Sequence, residues 1–164
     1  FLIVSTWNGL MLINISLSLP EDAELLSDLI MENSSVNLLA HYNEEQWKAF
    51  NKYYSAKNLS KKLIEWEMYC AMLEDKIVGT IALHKNFIVG FYTRLGYQGK
   101  GIGRILMKFM EGIAISKGFK EIQLAASPEG LSFYYKNGWE KIKDTTFFYF
   151  DEPFEETLMK KKLM

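Results

Sequence analysis

A chain of 164 residues, 49% hydrophobic and 24% charged with a net charge of −1, is long enough to bury one core without disulfides or structural metal. Its single cysteine, Cys70, and two histidines, His41 and His84, rule out an intramolecular disulfide and a zinc site of Cys/His spacing, and fit a reducing, cytoplasmic setting. The near-zero charge argues against a nucleic-acid partner, yet it is unevenly spread: residues 76–120 carry eight basic side chains and one acidic, between acidic flanks.

The first 20 residues are uncharged but lack a basic leader, and Ile13, Ile15, Leu17 and Leu19 alternate with Asn14, Ser16 and Ser18. That period predicts a strand over 11–19 rather than a signal peptide or membrane span. Residues 1–10 precede an internal Met11, match no pattern and read as either an N-terminal extension or an upstream start. Pro20, Glu21 and Asp22 start a helix whose buried stripe is Leu25, Leu26, Leu29 and Ile30. Residues 33–43 read as a polar connection, and 44–55 and 59–66 as amphipathic helical segments rich in aromatics. Residues 68–73 and 77–83 form a hairpin, and 87–94 a further strand. Ile102, Ile105, Leu106, Phe109, Met110 and Ile113 fall on one helical face, in a helix ended by Gly118. Residues 121–126 alternate as a strand, and Ser127-Pro128-Glu129 heads a helix that stops at Asn137-Gly138. Strands over 139–143 and about 156–163 close the chain, around an aromatic and acidic stretch, 145–155. The order β-αα-βββ-α-β-α-ββ gives an α/β fold of the α+β type, one mixed sheet covered by helices, in a single domain over 1–164.

Between the 87–94 strand and the strongest helix lies Gln98-Gly99-Lys100-Gly101-Ile102-Gly103-Arg104. Free amides and a helix dipole at such a place make an anion site, and glycines let a phosphate approach the backbone. Arg94 and Arg104 are the only arginines, and with Lys100 they bracket this loop. Glycines so placed also suit a plain strand-to-helix turn. The spacing is not that of a Walker loop, and a dinucleotide fingerprint fails at Leu106, where a third small residue would stand. NAD-dependent chemistry is therefore disfavoured.

The run Gln98 to Gly103 resembles the Gln/Arg-x-x-Gly-x-Gly/Ala signature of the GNAT superfamily of N-acetyltransferases. The segment Phe133-Tyr134-Tyr135-Lys136-Asn137-Gly138-Trp139 is similar to that superfamily's Phe-Tyr-x-x-x-Gly-Phe segment, and the element order resembles its fold over about 11–163. The resemblance implies acetyl-CoA as co-substrate, no metal, and a pyrophosphate held on the backbone of Gln98, Gly99, Lys100, Gly101, Ile102, Gly103 and Arg104. It implies a pantetheine arm between the strand ending near Thr93 and the one ending near Ala126, with main-chain N–H groups of Phe91, Tyr92 and Thr93 polarising the thioester. Tyr134 matches the family's tyrosine that protonates the leaving thiolate. Ser127 stands where many relatives carry an asparagine that bonds the arm; its own position favours a helix N-cap.

The glutamate that many relatives place before the loop is missing, since no Asp or Glu lies between Lys76 and Met110. His84 is the near-neutral titrating side chain in that stretch and becomes the candidate base, beside Glu44, Glu45, Glu65 or Glu67 acting through water, or an amine that arrives partly deprotonated. The implied reaction is direct acetyl transfer, in a ternary complex, to a primary amine of a small molecule or peptide. The alternative is a non-catalytic acyl-CoA-binding sensor or interaction domain. Tyr53, Tyr54 and Phe147–Phe150 fit either an acceptor pocket or a homodimer seam, and no nucleic-acid or membrane partner is expected.

Overall fold

The computed structural model describes Leu2–Ser5 and residues 12–164. Residues 1 and 6–10 of the expected extension, and residue 11 at the start of the expected strand, lie outside the described residues. Strand β1 (Leu2–Ser5) lies antiparallel to β2 (Leu12–Leu17), with Leu2 opposite Ile15. The start of the chain thus joins the sheet instead of preceding it; Leu2-Ile3-Val4 is apolar throughout and offers no alternation to read. In β2 the alternation holds at Ile13 and Ile15, which are buried, and fails beyond them, where Leu17 and Leu19 are exposed and Ser18 is buried.

Three helices follow: α1 (Ala23–Asn37), α2 (Glu44–Tyr53) and α3 (Ala56–Glu65). Helix α1 begins after a single 3-10 turn at Pro20–Asp22 and runs through half of the expected polar connection. It does so because Asn33 and Ser34 are buried in it. Asn43 caps α2 with Gln46 returning the bond, and the Ser55 hydroxyl caps α3. Strands β3 (Glu67–Leu73), β4 (Lys76–His84) and β5 (Phe87–Thr93) form an antiparallel meander. Helix α4 (Ile102–Ser116), strand β6 (Glu121–Ala126) and helix α5 (Leu131–Lys136) match expectation. Strands β7 (Glu140–Tyr149) and β8 (Glu152–Lys162) extend well into the expected 145–155 connection. They meet at a two-residue turn, Phe150-Asp151, whose φ angles of 50° and 65° are met without glycine.

The sheet order is β1-β2-β3-β4-β5-β6-β8-β7. Helix α4 packs Ile102, Leu106, Met107 and Met110 on one face of the sheet, against Ile13, Val78, Ile81 and Ile122 among others. The other face is covered by α1, α2 and α3 through Leu26, Leu29, Ile30, Phe50, Leu59 and Leu63. Among the described residues no helix is long and apolar enough to cross a membrane.

Two irregularities in β5 position the site. Its parallel pairing with β6 is confined to Phe87 opposite Gln123, where the Gln123 N–H donates to the Asn86 carbonyl at 2.9 Å. Beyond that point β6 follows β8 along its whole length, from Glu121 opposite Lys162 to Ala126 opposite Thr157, and the two central strands part. Strand β5 also bulges, since Gly90 and Phe91 together face Ile81 alone. Gly90 takes φ +57°, and its carbonyl accepts a bond from the buried Thr80 hydroxyl at 2.8 Å.

Candidate active site

The parting of β5 from β6 opens a cavity of about 470 Å³. Its floor is the glycine loop. Gly99 and Gly101 have φ of +75° and +86°, and nothing stands within 4 Å of where a Cβ would sit on either. The backbone is therefore bare toward the cavity. Gly101 is the N-cap of α4, no side chain caps that end, and no acidic residue lies in its first turn. The first amides of a 15-residue helix are left for a ligand, which fits a pyrophosphate.

Most of the residues expected at the site line this cavity. Phe91, Tyr92 and Thr93 come from β5, Gln98, Gly99 and Gly101 from the loop, Ile102, Gly103 and Arg104 from the first turn of α4, and Ser127 and Tyr134 from beyond β6. Lys100 stays on the exposed rim, its Nζ 5.3 Å from the Tyr97 ring. Arg94 departs from expectation. Its Nε donates to the Ile77 carbonyl at 2.6 Å and its Nη1 pairs with Glu32 at 3.0 Å, leaving the side chain 15% exposed. It braces β5 against β4 and α1, and Arg104 is the arginine open to the loop.

Tyr134 is held by aromatic packing against Phe91, Phe133 and Trp139, with ring centroids 6.3, 5.5 and 5.8 Å away. A Cβ on Gly130 would fall 2.9 Å from its ring, so that glycine lets the ring close over the turn. Burial pushes its hydroxyl well above the usual tyrosine range, with the charge of Glu156 adding to the effect. Among the described residues that hydroxyl has no hydrogen-bond partner. The Ser127 side chain makes no cap bond either, contrary to the N-cap expectation, because the backbone Gly130 N–H closes the turn on the Ser127 carbonyl at 3.0 Å. Its hydroxyl is left to the cavity. On the facing side, Asn33 of α1 donates to the Thr93 carbonyl at 2.6 Å and fixes the end of β5.

A second cavity of about 130 Å³ adjoins the first, and Leu38, Phe91, Tyr92, Ser127 and Tyr134 line both. Its far wall is aromatic: Tyr42, Phe50, Tyr53, Tyr54 and Tyr149. Glu156 of β8 stands among these rings, accepting a bond from the Tyr149 hydroxyl at 3.3 Å. Burial lifts its carboxyl to about 7, against the opposite pull of that bond.

The expected bases are elsewhere. His84 pairs with Phe87 at the hairpin end of β4 and lines neither cavity. Phe91 lies four residues further along β5, about 13 Å at the usual strand rise. Glu44 and Glu45 pair with Lys48 on the exposed face of α2, Glu67 pairs with Lys117, and Glu65 is exposed. Tyr53, Tyr54 and Tyr149 line the second cavity, whereas Phe148 is 66% exposed.

A family model described as an acetyltransferase (GNAT) domain matches residues 38–161. Solved structures are similar along nearly the whole chain. A GCN5-related N-acetyltransferase from Rhodopseudomonas palustris matches 99% of this chain and 99% of its own at 23% identity, TM-score 0.84. The PaiA N-acetyltransferase from Thermoplasma acidophilum, solved in complex with coenzyme A, matches 93% of this chain and 99% of its own at 25% identity, TM-score 0.77. A GNAT-family acetyltransferase from Staphylococcus aureus Mu50 matches 93% and 99% at 18% identity, TM-score 0.71. A comparison with curated protein sequences finds no match. With the family model matched over 38–161 and the fold shared from end to end, the chain belongs to the GNAT acetyltransferase family.

Proposed function

We propose that the protein transfers the acetyl group of acetyl-CoA directly to a primary amine. The observation that carries this reading is the uncapped N-terminus of α4 opening onto the same cavity as the bulge of β5 and the hydroxyl of Tyr134. In it the amides from Gln98 to Arg104 grip the pyrophosphate, with Arg104 and Lys100 adding charge from the rim. The strands β5 and β6, apart beyond Phe87 and Gln123, leave each other's edge groups free for the pantetheine arm, and Ser127 offers it a hydroxyl.

At the bulge, main-chain N–H groups around Phe91–Thr93 polarise the thioester carbonyl. Preorganised donors of this kind are worth roughly 3 kcal/mol each. Tyr134 protonates the departing sulfur. Its raised pKa keeps it a proton carrier at neutral pH and leaves donation for the moment when charge develops on sulfur. A covalent acetyl-enzyme is disfavoured, because Cys70 is buried beside Ser16 and lines neither cavity.

The acceptor is a small molecule or a peptide amine. The competing reading is an acyl-CoA-binding domain without turnover. Thiol release from acetyl-CoA, followed across a panel of amines, separates the two. Wild type is expected to release thiol only when amine is present, and Tyr134→Phe to slow release about 100-fold while acetyl-CoA binding stays within twofold. Binding without release by wild type, for every amine, would leave only the binding-domain reading.

A further inference from the structure

Glu156 is a carboxylate with no cation beside it. Among the described residues no lysine or arginine pairs with it, and its one hydrogen bond comes from the Tyr149 hydroxyl. The groups that face it are tyrosines from every neighbouring element: Tyr149 on β7, Tyr42, Tyr53 and Tyr54 on and beside α2, Tyr92 on β5 and Tyr134 on α5. An uncompensated carboxylate inside aromatic walls is costly for the protein alone. Rings that present π-faces and one buried negative charge suit a compact cation. The cavity of about 130 Å³ takes a small head group, not a folded chain. It meets the larger cavity at Phe91 and Tyr134, the residues given to the thioester and its leaving sulfur above.

We propose that the tyrosine-walled cavity is the acceptor site, that it takes the protonated head of a primary alkylamine, and that Glu156 is the catalytic residue that accepts its proton. This rests on the acetyl-transfer reading. The ammonium gives one proton to the Glu156 carboxylate, which returns it to water after turnover. The nitrogen lone pair then forms the C–N bond as the C–S bond breaks, its electron pair leaving on sulfur. Tyr134 gives that sulfur its hydroxyl proton and regains one from the new amide nitrogen, which arrives with two hydrogens and leaves with one. Burial holds the Glu156 carboxyl at about 7, a value suited to a base working near neutral pH.

The test is the pH dependence of kcat/KM with an alkylamine of lysine-like pKa, about 10.4, and with a weakly basic aromatic amine already neutral at pH 7. For the alkylamine, wild type is expected to rise to an inflection near pH 7 and then stay level to about pH 9. Glu156→Gln is expected to lose about 100-fold at pH 7 and the inflection with it, while its loss on the aromatic amine is at least tenfold smaller. Acetyl-CoA binding, followed by thermal shift, reports that the variant is folded. A wild-type profile climbing tenfold per unit toward pH 10 overturns the role of Glu156 without needing the variant. So does an equal loss on both amines, or an alkylamine rate unchanged in Glu156→Gln. Failure of wild type to acetylate any amine while binding acetyl-CoA overturns instead the reading on which this one stands.

Discussion

Arg94 and Arg104 flank one glycine loop at similar distances in sequence and do different work. Arg104 projects from the first turn of α4 at the cavity edge, whereas Arg94 is spent on Ile77 and Glu32. Arg104→Ala is expected to raise the KM for acetyl-CoA about tenfold, the loss of roughly 1.4 kcal/mol of charge-assisted binding, at unchanged kcat. Arg94→Ala is expected to leave that KM within twofold and to cost about 2 kcal/mol of stability, read by denaturant titration. The loop glycines and Tyr134 were legible as cavity residues because each sits in a short segment that resembles the family's motifs. Arg94 was misleading because the groups that claim it lie in α1 and β4. Glu156 left no signal near the loop at all: it reaches the site through the long β7–β8 hairpin, and only its position among Tyr42, Tyr53, Tyr54 and Tyr149 marks it out.

Among elements, those with a period in sequence were legible and those fixed by partners were not. Helix α4 and strand β6 announce themselves, one by apolar residues at helical spacing and the other by alternation. Helix α1 runs on past Ile30 because Asn33 and Ser34 are enclosed, and Asn33 is the side chain that ties α1 to the end of β5. Asn33→Ala is expected to lower kcat/KM several-fold and stability by about 1 kcal/mol, since the Thr93 carbonyl loses its donor. The β7–β8 hairpin was hidden by its turn, where Phe150 and Asp151 occupy a conformation that glycine adopts more readily. Asp151→Gly is expected to stabilise the fold by about 0.5 kcal/mol, seen as a higher melting temperature with unchanged kcat/KM.

Across the whole molecule, the charge at the two adjoining cavities comes from the cationic segment 76–120 and from the acidic C-terminal flank, whose Glu129 lines the first cavity. Arg104 and Lys100 stand at one, and Glu156 lies inside the other. Keeping Glu156 buried has a pH signature. Its carboxyl sits near 7 in the fold and near 4.3 in the unfolded chain, so the fold favours its protonated form. The stability this lends is present below about pH 4.3 and is lost as pH rises through 7. Glu156→Gln is therefore expected to melt above wild type at pH 8, with the gap narrowing as pH falls and closing only below about pH 4. Mass spectrometry of the acceptor, after incubation of the protein with acetyl-CoA carrying a labelled acetyl carbon, reads acetyl transfer from thioester to amine. Labelled N-acetyl product formed one-to-one with free thiol is the expected result. Acetyl-CoA bound by the folded protein, with unlabelled acceptors and no thiol released, would contradict it.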